Sequence, residues 1–108
     1  MIRGDFVTIA MQGDFGKPRT ALVIQSDPFN DHVTVTVLPV SSALVDAPLF
    51  RVTIQPTSVN GLQKLSQVMV DKAMTVKRDK LGEVFGSASD ASMLEIGRCL
   101  AVFLGIAR

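Results

Sequence analysis

The chain has 108 residues, 47% of them apolar, with neither Trp nor Tyr and a formal net charge of only +1. That length suits one domain spanning residues 1–108, burying roughly two-thirds of its unfolded surface, and the near-neutral charge does not by itself announce a nucleic-acid binder. The single cysteine, Cys99, excludes an internal disulfide and suits a reducing cytoplasm, and no apolar run reaches the length of a secretory signal or a membrane span.

The first strand is expected over Phe6–Met11, a short apolar run with three β-branched residues. A loop follows from Gly13 to Pro18; its two glycines and its proline are poor continuations of a strand. It brings Lys17 and Arg19 to the mouth of a second strand, Thr20–Gln25, whose apolar character on both faces marks it as central. Cations where a loop meets a strand suit an anion site, or form an ordinary hairpin with solvated charges. Residues 26–31 read as a turn with a φ-setting proline.

His32–Leu38 alternates Val and Thr, the clearest strand in the chain. Pro39-Val40-Ser41-Ser42 is expected to end it, residues 43–48 to form a loop, and Leu49–Gln55 to make a fourth strand. Residues 56–66 are polar, with Asn60-Gly61 marking a turn. Gln67–Lys72 reads as a fifth strand running on toward Val76, and a short strand is expected around Val84-Phe85. Ser87, Ser89 and Asp90 offer helix N-caps, and Ser92 with Glu95 has the spacing of a capping box. Met93, Ile96, Leu100 and Phe103 recur at helical spacing, and Leu94, Ala101 and Leu104 widen that face beyond one stripe. The helix should therefore pack on the sheet and on a second subunit, and the apolar surplus points to a homodimer. The fold expected is mainly β: a small, curled antiparallel barrel followed by one C-terminal helix.

Charge is unevenly spread. Residues 51–80 carry Arg51, Lys64, Lys72, Lys77, Arg78 and Lys80 against Asp71 and Asp79, whereas residues 1–50 carry more acids than bases. Lys72, Lys77, Arg78 and Lys80 could track a nucleic-acid backbone or simply face solvent. Arg19 offers a permanently charged fork of donors suited to phosphate oxygens. The hydroxyls of Ser41 and Ser42 could bond the same phosphate or close a strand-ending turn. Asp71 could pair with a cation near the site or make a structural ion pair. His32 and Cys99 stand apart and read as structural, so neither a metal cluster nor a Cys–His nucleophile has support. The spacing Gly13-x-x-Gly16-Lys17 matches no nucleotide-binding loop.

Several blocks then follow one another in a familiar order: Arg3-Gly4-Asp5-Phe6-Val7, Lys17-Pro18-Arg19 leading into Ala21-Leu22-Val23-Ile24, Val35-Thr36-Val37-Leu38-Pro39-Val40-Ser41-Ser42, Gly61-Leu62 and Val68-Met69-Val70-Asp71. In these the chain resembles the MazF/PemK family of toxin endoribonucleases over nearly its whole length. The resemblance implies an SH3-like curled sheet, a homodimer in the cytoplasm, and cleavage of single-stranded RNA without metal or other cofactor. It implies attack of the ribose 2′-hydroxyl on the adjacent phosphate, leaving a 2′,3′-cyclic phosphate and a 5′-hydroxyl. Arg19 matches the family's active-site arginine, and Ser41 a position usually held by Thr. Lys17, Thr20, Ser42, Asp71 and Lys72 are the accompanying substrate-binding candidates. The loop ending at Pro18 matches a mobile loop beside the substrate groove. The resemblance also implies a cognate antitoxin whose tail blocks that groove.

Two departures stand out. Thr20 replaces the proline that commonly follows the arginine, and Ser41 keeps the hydroxyl of Thr without its rotamer-restricting methyl. Two alternatives remain: a non-catalytic RNA- or protein-binding barrel, and a CcdB-like toxin that binds DNA gyrase. Phe103-Leu104-Gly105-Ile106 is similar to the gyrase-binding terminus, but Leu104 stands where those proteins carry Trp.

Overall fold

Residues 1–10 and 18–108 are described in a computed structural model of the chain. Their strands are Asp5–Ala10 (β1), Pro18–Val23 (β2), Thr34–Ser41 (β3), Arg51–Ile54 (β4), Ser66–Met69 (β5), Met74–Lys77 (β6) and Leu81–Ser87 (β7), followed by one α-helix, Asp90–Phe103 (α1). The strands form one antiparallel sheet in the order β4-β5-β3-β2-β1-β7, with β6 also paired to β3. The sheet is curled but not closed, since among the described residues β4 and β7 do not pair with each other.

The third strand organises the sheet. One edge pairs with β2, while the other changes partner midway: residues 34–37 lie against β6, and Val40 and Ser41 against β5. Pro39 falls in the gap between those two neighbours, so on that edge its missing N–H forfeits no ladder bond. This corrects the expected strand end at Leu38. The strand runs on to Ser41 and begins at Thr34 rather than His32.

Both faces of the central strands are covered, which is why their sequences are apolar throughout. Phe6, Leu22, Leu38 and Val40 join Val52, Ile54, Val68 and Ile96 of α1 in one core cluster. Val7, Ile9, Ala21, Val23, Val35 and Val37 form a second on the opposite face, closed by Met1, Met74, Val76 and Leu81. Each fully buried Phe or Leu of this kind contributes about 1.5–3 kcal/mol.

Three other expected boundaries shift. The stretch over Gln67–Lys72 is not one strand: β5 stops at Met69, Val70–Lys72 make a 3-10 turn, and β6 resumes at Met74. That break carries the chain from one half of the β3 edge to the other, and Val70 is apolar because it is buried in the turn. The fourth strand starts at Arg51, because Leu49 and Phe50 lie in a turn closed by the Arg51 N–H donating to the Ala47 carbonyl at 2.8 Å. The second strand starts at Pro18, so Arg19 belongs to β2 itself.

The β1–β7 pairing is irregular. Phe6 faces Gly86, Val7 faces Val84 and Ile9 faces Leu81, so β7 holds an extra residue at two points, the first being Phe85. Such bulges bend a strand and re-aim its side chains. Helix α1 is capped by Ser89, whose Oγ accepts from the Ser92 N–H at 3.1 Å; the capping pair is thus Ser89 with Ser92, not Ser92 with Glu95. It ends in a Schellman closure, with Gly105 at φ +78° and the Ile106 N–H donating to the Ala101 carbonyl at 2.8 Å. Met93, Ile96 and Leu100 pack on the first core, whereas Phe103, Leu94, Val102 and Leu104 are exposed.

Candidate active-site groove

Strand register brings four of the candidate residues together. With Thr20 opposite Val40 in the β2–β3 pair, the next step outward carries Arg19 and Ser41. Arg19, Thr20, Ser41 and Ser42 all line one groove of about 660 Å³, with Thr8, Pro18, Val40, Ala43, residues 61–64, Ser66 and Phe85 completing its walls. Arg19 is exposed there and Thr20 half-buried. Among the described lining residues Arg19 and Lys64 are cationic and none is a carboxylate, which suits a polyanion.

One wall is the chain leaving β3. The Ser41 Oγ accepts from the Ala43 N–H at 3.0 Å, which leaves its O–H proton to donate elsewhere. The turn-closing and ligand-binding readings of this serine are therefore compatible. The next residues are pinned from behind by Gln67, which is 7% exposed. Its Oε1 accepts from the Val45 N–H and its Nε2 donates to the Val45 carbonyl, both at 3.0 Å. Arg51 Nη1 donates to the Ala43 carbonyl and to Gln67 Oε1, each at 3.3 Å.

The facing wall is the turn around Asn60. Its Oδ1 accepts from the N–H groups of Thr57 and Leu62 at 2.9 and 3.0 Å, and its Nδ2 donates to the Gln55 carbonyl at 2.8 Å. Gly61 follows at φ +69°, and a Cβ there would lie 2.5 Å from the Phe85 carbonyl oxygen. The turn and β7 thus touch backbone to backbone, and only glycine allows it. Phe85 lines the groove beside that contact, its ring stacked on Phe6 at 6.2 Å between centroids.

Other candidates lie apart. Lys17 and the loop from Gly13 fall outside the described residues. Asp71 and Lys72 sit in the 3-10 turn after β5 and do not line the groove; they pair with each other at 3.8 Å. Arg78 donates from Nε to the His32 carbonyl at 2.9 Å and also to the Asn30 carbonyl, which holds the turn before β3. His32 meets Phe29 edge-on, and Cys99 is half-buried against the first core. Among the described residues no group of three or more His, Cys, Asp or Glu is placed to hold a metal ion. No helix among them is long and apolar enough to cross a membrane. Sequence reasoning passed over Thr8, Gln63, Lys64 and Phe85 as groove residues. Their membership depends on tertiary register, and only the basic excess around Lys64 gave a signal.

Comparison with known proteins agrees with this architecture. The family described as PemK-like, MazF-like toxin of type II toxin-antitoxin system matches residues 2–104. A probable endoribonuclease MazF of Mycolicibacterium smegmatis is 44% identical over 99% of both chains. Among solved structures, an endoribonuclease in complex with its cognate antitoxin from a mycobacterial species superposes with a TM-score of 0.84 at 23% identity, covering 100% of this chain and 98% of that one. A MazE–MazF structure from Deinococcus radiodurans does so with a TM-score of 0.79 at 23% identity, covering 97% and 95%. At that identity the structural likeness speaks for the fold.

Proposed function

The chain belongs to the PemK-like, MazF-like toxin family of type II toxin–antitoxin systems, and from that premise we propose that it is an endoribonuclease toxin that cuts single-stranded RNA. The observation that carries the reading is the convergence of Arg19, Thr20, Ser41 and Ser42 on a groove lined by two cations and no carboxylate among its described residues. Family membership also displaces the gyrase-binding alternative. Residues 1–108 act as one toxin domain in the cytoplasm.

In the proposed reaction the ribose 2′-oxygen forms a bond to phosphorus while the bond from phosphorus to the 5′-oxygen breaks. The 2′-hydroxyl loses its proton, the departing 5′-oxygen gains one, and a 2′,3′-cyclic phosphate remains. Charge grows on the non-bridging oxygens in the transition state, where fixed donors are worth most. Arg19 supplies a cation that does not deprotonate. Ser41 donates its free O–H to the phosphate while its oxygen stays anchored on Ala43. Ser42 and Thr20 hold the strand on either side, and Lys17 adds charge. Asp71 and Lys72 act at most on flanking nucleotides, since they lie outside the groove. DNA lacks the nucleophile and should bind without being cut.

Two partners follow from the same reading. A cognate antitoxin would block the groove with a flexible tail. A second copy of the chain would cover the exposed apolar face of α1, where Met93, Leu94, Ala101 and Val102 line a further groove of about 690 Å³ with Arg3, Asp90, Arg98 and Arg108 around it.

The test is incubation of the purified protein with a long single-stranded RNA in EDTA, beside Arg19→Ala and the matching DNA. Cutting of RNA alone, with cyclic-phosphate ends and loss in the variant, is expected. A folded wild-type protein that leaves RNA intact, or an Arg19→Ala variant that cuts equally well, would overturn the proposal.

A further inference from the structure

Phe85 is an aromatic residue at a place where the strand pattern alone would not put one to use. It is the extra residue between the pairs Phe6↔Gly86 and Val7↔Val84, so it stands at a bulge rather than in the regular ladder. Bulges redirect side chains and gather beside functional sites. Here the redirected ring keeps 37% of its surface exposed and lines the same groove as Arg19 and Ser41. Phe6, which is fully buried, backs the ring at 6.2 Å and 25° between planes. The tight Gly61 turn touches the Phe85 backbone on the same wall and helps to fix where the ring sits. An aromatic face held rigidly at the edge of a cationic groove has one ready occupant in a nucleic-acid strand, an unstacked base.

We propose that Phe85 is a stacking platform for a nucleobase of the bound strand, next to the phosphate held by Arg19 and Ser41. Along the chain from the adjacent Gly61 turn, Gln63 offers an amide to a base edge and Lys64 an ammonium to the adjoining phosphate. Every base has a π-face, so the platform adds affinity and positions the strand without by itself choosing the base. The inference rests on the proposed RNA-cleaving role, yet its test does not depend on cleavage.

The probe is a fluorescent 2′-deoxy strand copied from the RNA of the cleavage assay, which lacks the nucleophile, together with a set in which one base at a time is removed to leave an abasic sugar. Phe85→Leu keeps an apolar contact on Phe6 but loses the π-face, and Phe85→Tyr keeps both. Thermal unfolding of each variant shows that the fold persists. Phe85→Leu should bind the strand about 5- to 100-fold more weakly than wild type, whereas Phe85→Tyr should bind as wild type does. One abasic position should weaken wild-type binding by a similar factor and have no further effect in Phe85→Leu. On RNA, the loss should appear chiefly in KM rather than kcat. Equal binding by Phe85→Leu and wild type, or an abasic penalty unchanged in that variant, would overturn the platform even if RNA is cut. RNA left intact beside the expected stacking pattern would overturn the catalytic reading alone, and a wild-type protein that binds no strand would overturn the platform.

Discussion

At Ser41 one hydroxyl closes the turn onto Ala43 and, in the proposed mechanism, also donates to a phosphate. Substitution separates the two demands. Ser41→Ala should lower kcat at least tenfold and cost about 1 kcal/mol of stability for the lost turn bond, while Ser41→Thr should keep both bonds and equal or exceed the wild-type rate. Single-turnover cleavage with urea unfolding on the same samples checks this, and equal rates for Ala and Ser would remove Ser41 from the chemistry. The glycine across the groove has no such latitude. Gly61→Ala must hold a side chain at φ +69° with its Cβ 2.5 Å from the Phe85 oxygen, so about 1–3 kcal/mol should be lost, with urea denaturation as the measure. The turn must also move off β7, so activity should fall further than stability explains.

Elements were readable where one physical rule governed them. The Val35 and Val37 alternation gives β3, and the Met93, Ile96 and Leu100 spacing gives the seated face of α1. Pro39 misleads because its usual penalty depends on a neighbour that is absent at that point of the edge. The apolar run through Val70 misleads in the other direction, since a buried 3-10 turn needs apolar residues as much as a strand does. The last strand was largely hidden because its bulges break the period of two that reveals strands. The site was half legible for the same reason. Arg19, Thr20, Ser41 and Ser42 lie at the ends of readable strands, whereas Thr8, Lys64 and Phe85 reach the groove only through register. At this scale Gln67 is the test of how the β3 exit is held. Gln67→Leu strands the Val45 N–H and carbonyl it bonded, and should cost about 1–3 kcal/mol and raise KM as the wall at residues 42–45 loosens. Calorimetric unfolding and steady-state kinetics would show a purely catalytic effect, were the clamp irrelevant to the fold.

For the whole molecule the open question is the uncovered side of α1. Leu94 and Val102 are 57% and 48% exposed in the single chain, so Lys at both positions should leave the fold intact. If the proposed homodimer forms there, sedimentation at micromolar concentration should find the double variant monomeric and wild type dimeric. A wild-type dimer undisturbed by the two lysines would place the subunit contact elsewhere.

The partner change along β3 and the late arrival of β7 also bear on when this protein becomes active. Thr8, Arg19 and Ser41 are made early, the Asn60 turn later, and the strand carrying Phe85 later still. Until β7 exists, β1 has no outer neighbour, and until residues 66–77 exist, half of the central strand has an open edge. Such distant pairings form only once the intervening chain is complete. On the proposed activity, a growing chain that has not yet gained β7 therefore lacks a complete groove and is unable to cut the message it is read from.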